Sequence, residues 1–343
     1  MSLVKNWLLP LLLIPSFYAT GQQSINLTRI AFGSCSNEEI HEEMWTDILA
    51  QKPQLCILLG DNIYGDTHDM AWMRAQYEIQ KSMPSYQALL KQCSVIGTWD
   101  DHDYGRNDGG KFYVKKKESK EEFLRFMDIA ESDPIRTHEG VYSVHTYGDP
   151  GKKVKIILLD LRYFRDTTIR STIPGHRYDP NPNGDMLGEE QWVWFEKQIK
   201  KSDAGIHILG SSVQFIANDH WFEKWGNFPK ARQRMLDLLG KHNPKNLFVI
   251  SGDRHIAEVS KLKVPGLKKP LYDFTSSGLT HTWDTKEWKD APLTESNPNR
   301  VGNLIIQKNF GMILIDWSRK KPMITVELRG KNNTVWATPV VLK

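Results

Sequence analysis

The stretch "LCILLGDNIYGD", Leu55 to Asp66, decides how the chain is read. It opens on five apolar residues with no polar alternation, the pattern of a buried strand. The run then ends on a glycine and presents a carboxylate, an amide and a phenol, Asp61, Asn62 and Tyr64, where the chain should turn. A solvated turn and a metal site both fit that ending, and the flanking sequence has to choose between them.

Working outward, strand-like runs near residues 27–33, 54–60 and 93–99 are separated by the helical patterns "EIHEEMWTDILAQ" and "MAWMRAQYEIQ". That alternation predicts βαβ units. Further on, "VYSVHTYGDPGKKVKIILLD" reads as two strands around an Asp-Pro-Gly turn. The helix "GEEQWVWFEKQIKKS" leads into the strand "GIHILGSS", and a helix around 229–241 leads into "NLFVISGDRH". The tail, about 310–342, alternates like an antiparallel meander with turns at "SRKKP" and "GKNN". No internal repeat and no long linker interrupts this order. The expectation is one α/β domain over residues 23–343 whose strands face each other in two sheets.

Composition bounds the rest. With 343 residues, 40% of them apolar and 25% charged, the chain is neither disordered nor fibrous and can bury a large core. The formal charge of +4 is small, and "VKKKESKEE", residues 114–122, alternates into glutamates. It reads as a solvated helix face, so no nucleic acid is expected as a stable partner. Residues 1–22 carry one lysine, an apolar run broken by Pro10 and Pro15, then small and polar residues. This is the pattern of a cleavable signal peptide, which predicts a secreted or periplasmic protein with no transmembrane segment after cleavage. Three cysteines cannot all pair within one exported chain. Cys56 and Cys93 sit in apolar surroundings as small hydrophobes. Cys35, in a Gly/Ser turn after the first strand, is open to a disulfide, an inert thiol or a functional role.

The metal reading gains weight from position. Four strand-like runs end in possible ligands: "FGSCS" with Cys35; "LLGDNIY" with Asp61, Asn62 and Tyr64; "GTWDDHDYGRND" with Asp100, Asp101, His102, Asp103 and Asn107; and "ISGDRH" with Asp253 and His255. In an α/β sheet the C-terminal ends of parallel strands converge on one crevice. Three carboxylates around His102 would repel one another without a cation or abundant water. A two-metal hydrolase needs such a cluster, with ions about 3.5–4 Å apart and a carboxylate between them.

With these motifs in view, "FGSC", "LGDNIY", "WDDHDYG", "LLDLRYFR", "LGEEQWVWFEKQI" and "SGDRH" together resemble the alkaline phosphatase D family, the PhoD-like branch of the metallophosphoesterases. The likeness runs from about residue 27 to 285. It implies a metallophosphoesterase-like two-sheet sandwich flanked by helices. It places Cys35 and Tyr64 on a ferric ion, with Asp61 bridging to a second ion, usually calcium. Asp101, Asp253 and His255 complete the metal shells and Asn107 stands near calcium. "YGRND" replaces a more acidic family stretch, which leaves the number of calcium ions, or another divalent ion in their place, open. His102 and Arg162 are implied to meet the phosphate.

The implied chemistry is coherent. Thiolate, phenolate and carboxylate ligands offset the charge of a hard ferric ion. Bound metal brings the pKa of water toward neutrality, so hydroxide is available for in-line attack on phosphorus. His102 and Arg162 then stabilise charge on the phosphoryl oxygens. The substrate is a phosphate ester, a small molecule or a phospholipid. Asn62, Trp99, Tyr104 and His281 are candidate substrate contacts, with Trp283 beside them. Two other functions share parts of this pattern. A phosphodiesterase or phospholipase uses the same metal core, and a calcium-stapled binding module would use the 12 tryptophans as stacking surfaces.

Overall fold

In the computed structural model, which describes residues 25–40, 44–283, 295–335 and 340–342, the apolar run of the opening stretch is a five-residue strand buried at every position. The leader expected over residues 1–22 lies outside the described residues. In chain order the first half holds β1 (Arg29–Gly33), α1 (Trp45–Ala50), β2 (Leu55–Leu59), α2 (Met70–Ser82), α3 (Pro84–Gln92), β3 (Ser94–Thr98), α4 (Asp101–Tyr104) and α5 (Lys116–Phe126). Next come β4 (Ser143–Tyr147), β5 (Val154–Leu158), β6 (Ile169–Arg170), β7 (Tyr178–Asp179), α6 (Gly188–Ile199) and β8 (Ile206–Ser211). The chain closes with α7 (Pro229–His242), β9 (Leu247–Ser251), β10 (Ala257–Leu262), β11 (Leu271–Ser276), β12 (Phe310–Asp316), β13 (Met323–Arg329) and β14 (Val340–Leu342).

Two six-stranded sheets form, ordered β14-β13-β12-β1-β2-β3 and β10-β11-β9-β8-β5-β4. β1, β2 and β3 are parallel, and so are β5, β8, β9 and β11, while the meander β12 to β14 is antiparallel as expected. Alternation along β2 explains its unbroken apolar run. Leu55, Ile57 and Leu59 point into the layer between the sheets with Ile156, Ile208, Phe248 and Ile250, whereas Cys56 and Leu58 point outward under the helices with Trp45 and Tyr86. A separate outer core packs α6 and α7 on the second sheet through Trp192, Phe195, Met235 and Leu239. The result is four layers, helices outside and two sheets inside, in one domain.

The helices start and stop for local reasons. Asp69 caps α2 by accepting from the amides of Ala71 and Trp72, and Asp100 and Asp103 form a reciprocal capping box on α4. Pro229 opens α7 at a position that needs no amide donor, and Asn243 ends it in the left-handed conformation. The lysine-rich run at 114–122 keeps the expected solvated face, with Lys117, Glu118 and Glu121 exposed, but its other face is buried. In α5, Ser119, Lys120 and Glu122 are buried beside Phe123 and Leu124. Lys120 donates to the carbonyls of Ile135 and His138, and Glu122 receives Arg74 in a fork. Among the described residues no helix is long and apolar enough to cross a membrane.

Candidate metal centre

β1, β2, β3 and β9 deliver their following residues to one end of the two sheets, and the side chains meet there. Gly60 ends β2 at a φ of +101°, and a Cβ on it would lie 2.4 Å from Cβ of Asp100. Only glycine lets the loops after β2 and β3 approach this closely. Cys35, Asp61, Asp253 and His255 then adopt φ values of 62°, 49°, 71° and 55°. A left-handed backbone costs a non-glycine residue about 1–2 kcal/mol, so four such residues in one cluster mark a site held against local preference.

Asp61 is the hub. The Cys35 thiol lies 3.4 Å from Oδ2 of Asp61, and the His102 amide lies 3.4 Å from Oδ1. The Tyr64 hydroxyl lies 3.2 Å from Nε2 of His255, and the Tyr64 ring packs on His102 with centroids 4.3 Å apart. Asp101 accepts from Asn107 Nδ2 at 3.1 Å and from the Asp108 amide at 2.6 Å. Nδ1 of His102 is bonded to the carboxylate of Asp66. Of these groups Asp61, Asp101, His102, Asn107, Asp108 and His255 open onto a pocket of ≈ 420 Å³ that Arg177, Phe222, Arg254, His281 and Trp283 also line.

The donor set fits cations. Donor atoms of Cys35, Asp61 and His255 lie within 4.8 Å of one another, and so do those of Asp61, Asp101 and His102 and of Asp100, Asp101 and Asp253. Asp61 belongs to two of these groups, as a carboxylate between two ions would. Oδ1 of Asp101 is buried with only Nη2 of Arg162 near it, at 3.6 Å, and Oδ2 of Asp100 is buried with no hydrogen bond. An oxygen left so is costly unless a positive charge faces it. Burial first, then the neighbouring thiol and carboxyls, pushes the Asp61 carboxyl well above its ordinary range; burial and Asp100 do the same to Asp253. Burial likewise raises the Cys35 thiol to about 11. Cations would reverse all three, since a coordinating thiol or carboxyl sheds its proton.

The histidines differ in setting. Burial disfavours the His102 cation, but Asp101 and the Asp66 hydrogen bond outweigh it and raise the group to about 9. His255 is held well below its ordinary value by burial and then by His281 and His102, which leaves it neutral and able to ligate.

The family model described as PhoD-like phosphatase matches residues 30–325. The chain belongs to that family. Alkaline phosphatase D of Bacillus subtilis (strain 168) is 25% identical over 276 residues, which covers 68% of this chain and 47% of the relative. The chain thus spans about half the length of the curated relative it matches. A solved structure of PhoD superposes with a TM-score of 0.70 at 19% identity, covering 93% of this chain and 72% of the other. A dimetal phosphatase from Danio rerio superposes with a TM-score of 0.53 at 11% identity, covering 93% of this chain and 99% of the other. Both share the fold of two facing sheets between helices.

Cys35, Asp61, Tyr64, Asp101, His102, Asn107, Asp253, His255 and His281 all gather in or beside the pocket. Four other expected contacts do not. Arg162, expected to meet phosphate, is fully buried beneath the site, with Nε 2.5 Å from Asp100 and Nη1 2.6 Å from Glu223. Its charge is held by Asp100 and by Glu223, which itself lines the pocket. Asn62 donates to Asp103 and to the Thr98 carbonyl, tying the loops after β2 and β3 together. Trp99 and Tyr104 are fully buried and pack edge to face in the helical core, 5.1 Å between centroids. None of the last three reaches the pocket. Sequence reasoning missed Asp66, Asp108, Arg177, Glu223 and Arg254. Asp66, Asp108 and Arg254 stand within motifs already singled out, so they had a signal; Arg177 and Glu223 come from loops with no ligand pattern of their own.

Proposed function

We propose that the protein is an exported, metal-dependent phosphoester hydrolase, with ferric iron and calcium as the metals. The observation that carries this reading is the sharing of Asp61 between two donor clusters on the wall of an open pocket. Cys35, Tyr64, Asp61 and His255 would hold iron, and Asp61, Asp101, Asp253 and Asn107 the second ion. Such a pair of ions supplies Lewis acidity and a water acidic enough to attack phosphorus near neutral pH.

The chain's own groups do the rest. Asp66 occupies Nδ1 of His102 and fixes the ring, which leaves Nε2 to donate a proton toward a phosphoryl or leaving-group oxygen. Arg177 takes the part first expected of Arg162. It lines the pocket from a proline-bearing loop, pairs with Asp108 and offers its remaining donors to a phosphate. Arg162 acts from below, holding Asp100 and Glu223 so that Asp101 keeps its place.

A diesterase or phospholipase is the second reading. A pocket of ≈ 420 Å³ walled by Phe222 and Trp283 has room for more than a phosphate group. One experiment tests both: elemental analysis of the purified protein with rates on a phosphomonoester and a phosphodiester. Metal at more than one ion per chain and hydrolysis of either ester supports the reading, and the faster ester picks the class. In Asp61→Ala both metal and activity should disappear; an Asp61→Ala protein that keeps both metals refutes the assignment.

A further inference from the structure

The pole opposite the metal centre carries a second feature that the hydrolase reading does not use. The pocket follows the C-terminal ends of β1, β2, β3 and β9. The segments before β9 and β11, and the turn between β12 and β13, lie at the other end, because β11 is parallel to β9 and β12 runs antiparallel to β1. There, Lys245, Lys268, Lys269, Lys320 and Lys321 line one hollow of ≈ 530 Å³, and no carboxylate lines it. Among the described residues none of the five makes an ion pair with an acid. Like charges gathered in a concavity concentrate a positive field and repel one another until an anion enters.

The hollow is built rather than incidental. A Cβ on Gly240 would lie 2.2 Å from the Pro265 carbonyl oxygen, and one on Gly266 would lie 2.6 Å from that of Gly240, so the end of α7 and the loop between β10 and β11 interlock. The Lys268 amide donates to Asn243 at 3.0 Å and Lys269 Nζ to Asn246 at 2.7 Å, which ties the same two segments by their side chains. Among the described residues the large exposed apolar side chains lie elsewhere, at Trp72, Phe112, Val114 and Trp221 among others, so the hollow has neither a wedge for a bilayer nor a free ring for a base.

We infer that this hollow binds a linear polyphosphate, a flexible chain whose successive phosphates satisfy five lysines that a single phosphate could not. The site is independent of the hydrolytic one and anchors the protein with its pocket facing away from the bound chain. Five contacts predict a salt dependence of log affinity on log salt of about −3.5, at ~0.7 per contact for a flexible strand. Affinity should fall about 10²-fold between roughly 50 and 200 mM salt.

The test titrates the full chain with end-labelled linear inorganic polyphosphate by fluorescence anisotropy at those two salt concentrations. It compares the wild type with Lys268→Gln/Lys320→Gln/Lys321→Gln and with Lys115→Gln/Lys117→Gln/Lys230→Gln, which removes the same charge elsewhere. Support is binding that weakens at least ten-fold in the first triple variant only, with the salt slope falling to about −1.4 and ester hydrolysis unchanged. Equal weakening in both triples, no binding by the wild type, or equally tight lysine-dependent binding of single-stranded DNA or of vesicles rich in anionic lipid overturns the inference.

Discussion

Arg162→Ala separates a phosphate-binding arginine from one that holds the floor of the site. The guanidinium is fully buried and spans Asp100 at 2.5 Å, Glu223 at 2.6 Å and Asp101 at 3.6 Å. Removing it leaves the buried Asp100 without its cation, whereas Glu223 keeps Arg165 at 3.1 Å, and breaking one buried pair costs about 3–5 kcal/mol. At roughly 2 °C per kcal/mol for a chain of this size, the melting temperature should fall by roughly 6–10 °C. Arg162→Lys should recover only part of this, because an ammonium cannot fork between Asp100 and Glu223. The assay is thermal and urea unfolding of metal-free and metal-loaded protein, beside kcat and KM. An Arg162→Ala protein with unchanged stability and a raised KM would refute the reasoning and return Arg162 to the phosphate.

Three further outcomes follow from the same geometry. Tyr64→Phe should lose or shift a visible charge-transfer band of the iron-loaded protein; an unaltered absorption spectrum would remove Tyr64 from the metal shell. His102→Ala should keep its metal and lose about 10²-fold in kcat, and Asp66→Ala should lose less, with Asp66→Asn intermediate between Asp66→Ala and the wild type. Loss of metal in His102→Ala, measured by elemental analysis, would instead make His102 a ligand. Far from the site, His207 is buried with Nδ1 2.8 Å from the Lys245 carbonyl and Nε2 2.9 Å from Ser202 Oγ, and burial lowers it to about 4. Its folded value is below its unfolded one, so stability is complete above about pH 6.5 and is lost as pH falls toward 4, by about 3 kcal/mol. In urea unfolding across that window His207→Gln should flatten the pH dependence; an unchanged slope would assign it to other groups.

The layered fold was legible because its strands are buried on both faces. Leu55–Leu59 and Leu247–Ser251 read as apolar runs, and the ligands follow them directly in sequence. β10 and β11 were not legible, for a physical reason. They carry Glu258 and Asp273 at buried positions, which sequence patterning reads as exposed. In the fold Glu258 receives Gln214 and Arg300, while Asp273 accepts from the amides of Phe215 and Ile216 and from Ser251. The same blindness misplaced Arg162, Asn62, Trp99 and Tyr104. Their neighbourhood in sequence is the active one, but whether a side chain points to the pocket or the floor is fixed by partners such as Glu223, which lies 61 residues from Arg162.

The backbone and the charges of the site together set the cost of bringing its donors into one place. Cys35, Asp61, Asp253 and His255 all hold left-handed φ angles, and Asp61 and Asp253 sit among further buried carboxyls. Neither feature stabilises the chain by itself: the first costs about 1–2 kcal/mol per residue, and the second sets like charges against one another. The chain itself holds these loops together, because Asp103 collects the amides of Asp61, Asn62 and Asp100 at 3.2, 3.3 and 2.7 Å. Asp103 and Arg162 thus offset part of the cost of assembling the donors. Ion binding would relieve the repulsion that is left, and its free energy would add to the stability of the folded chain.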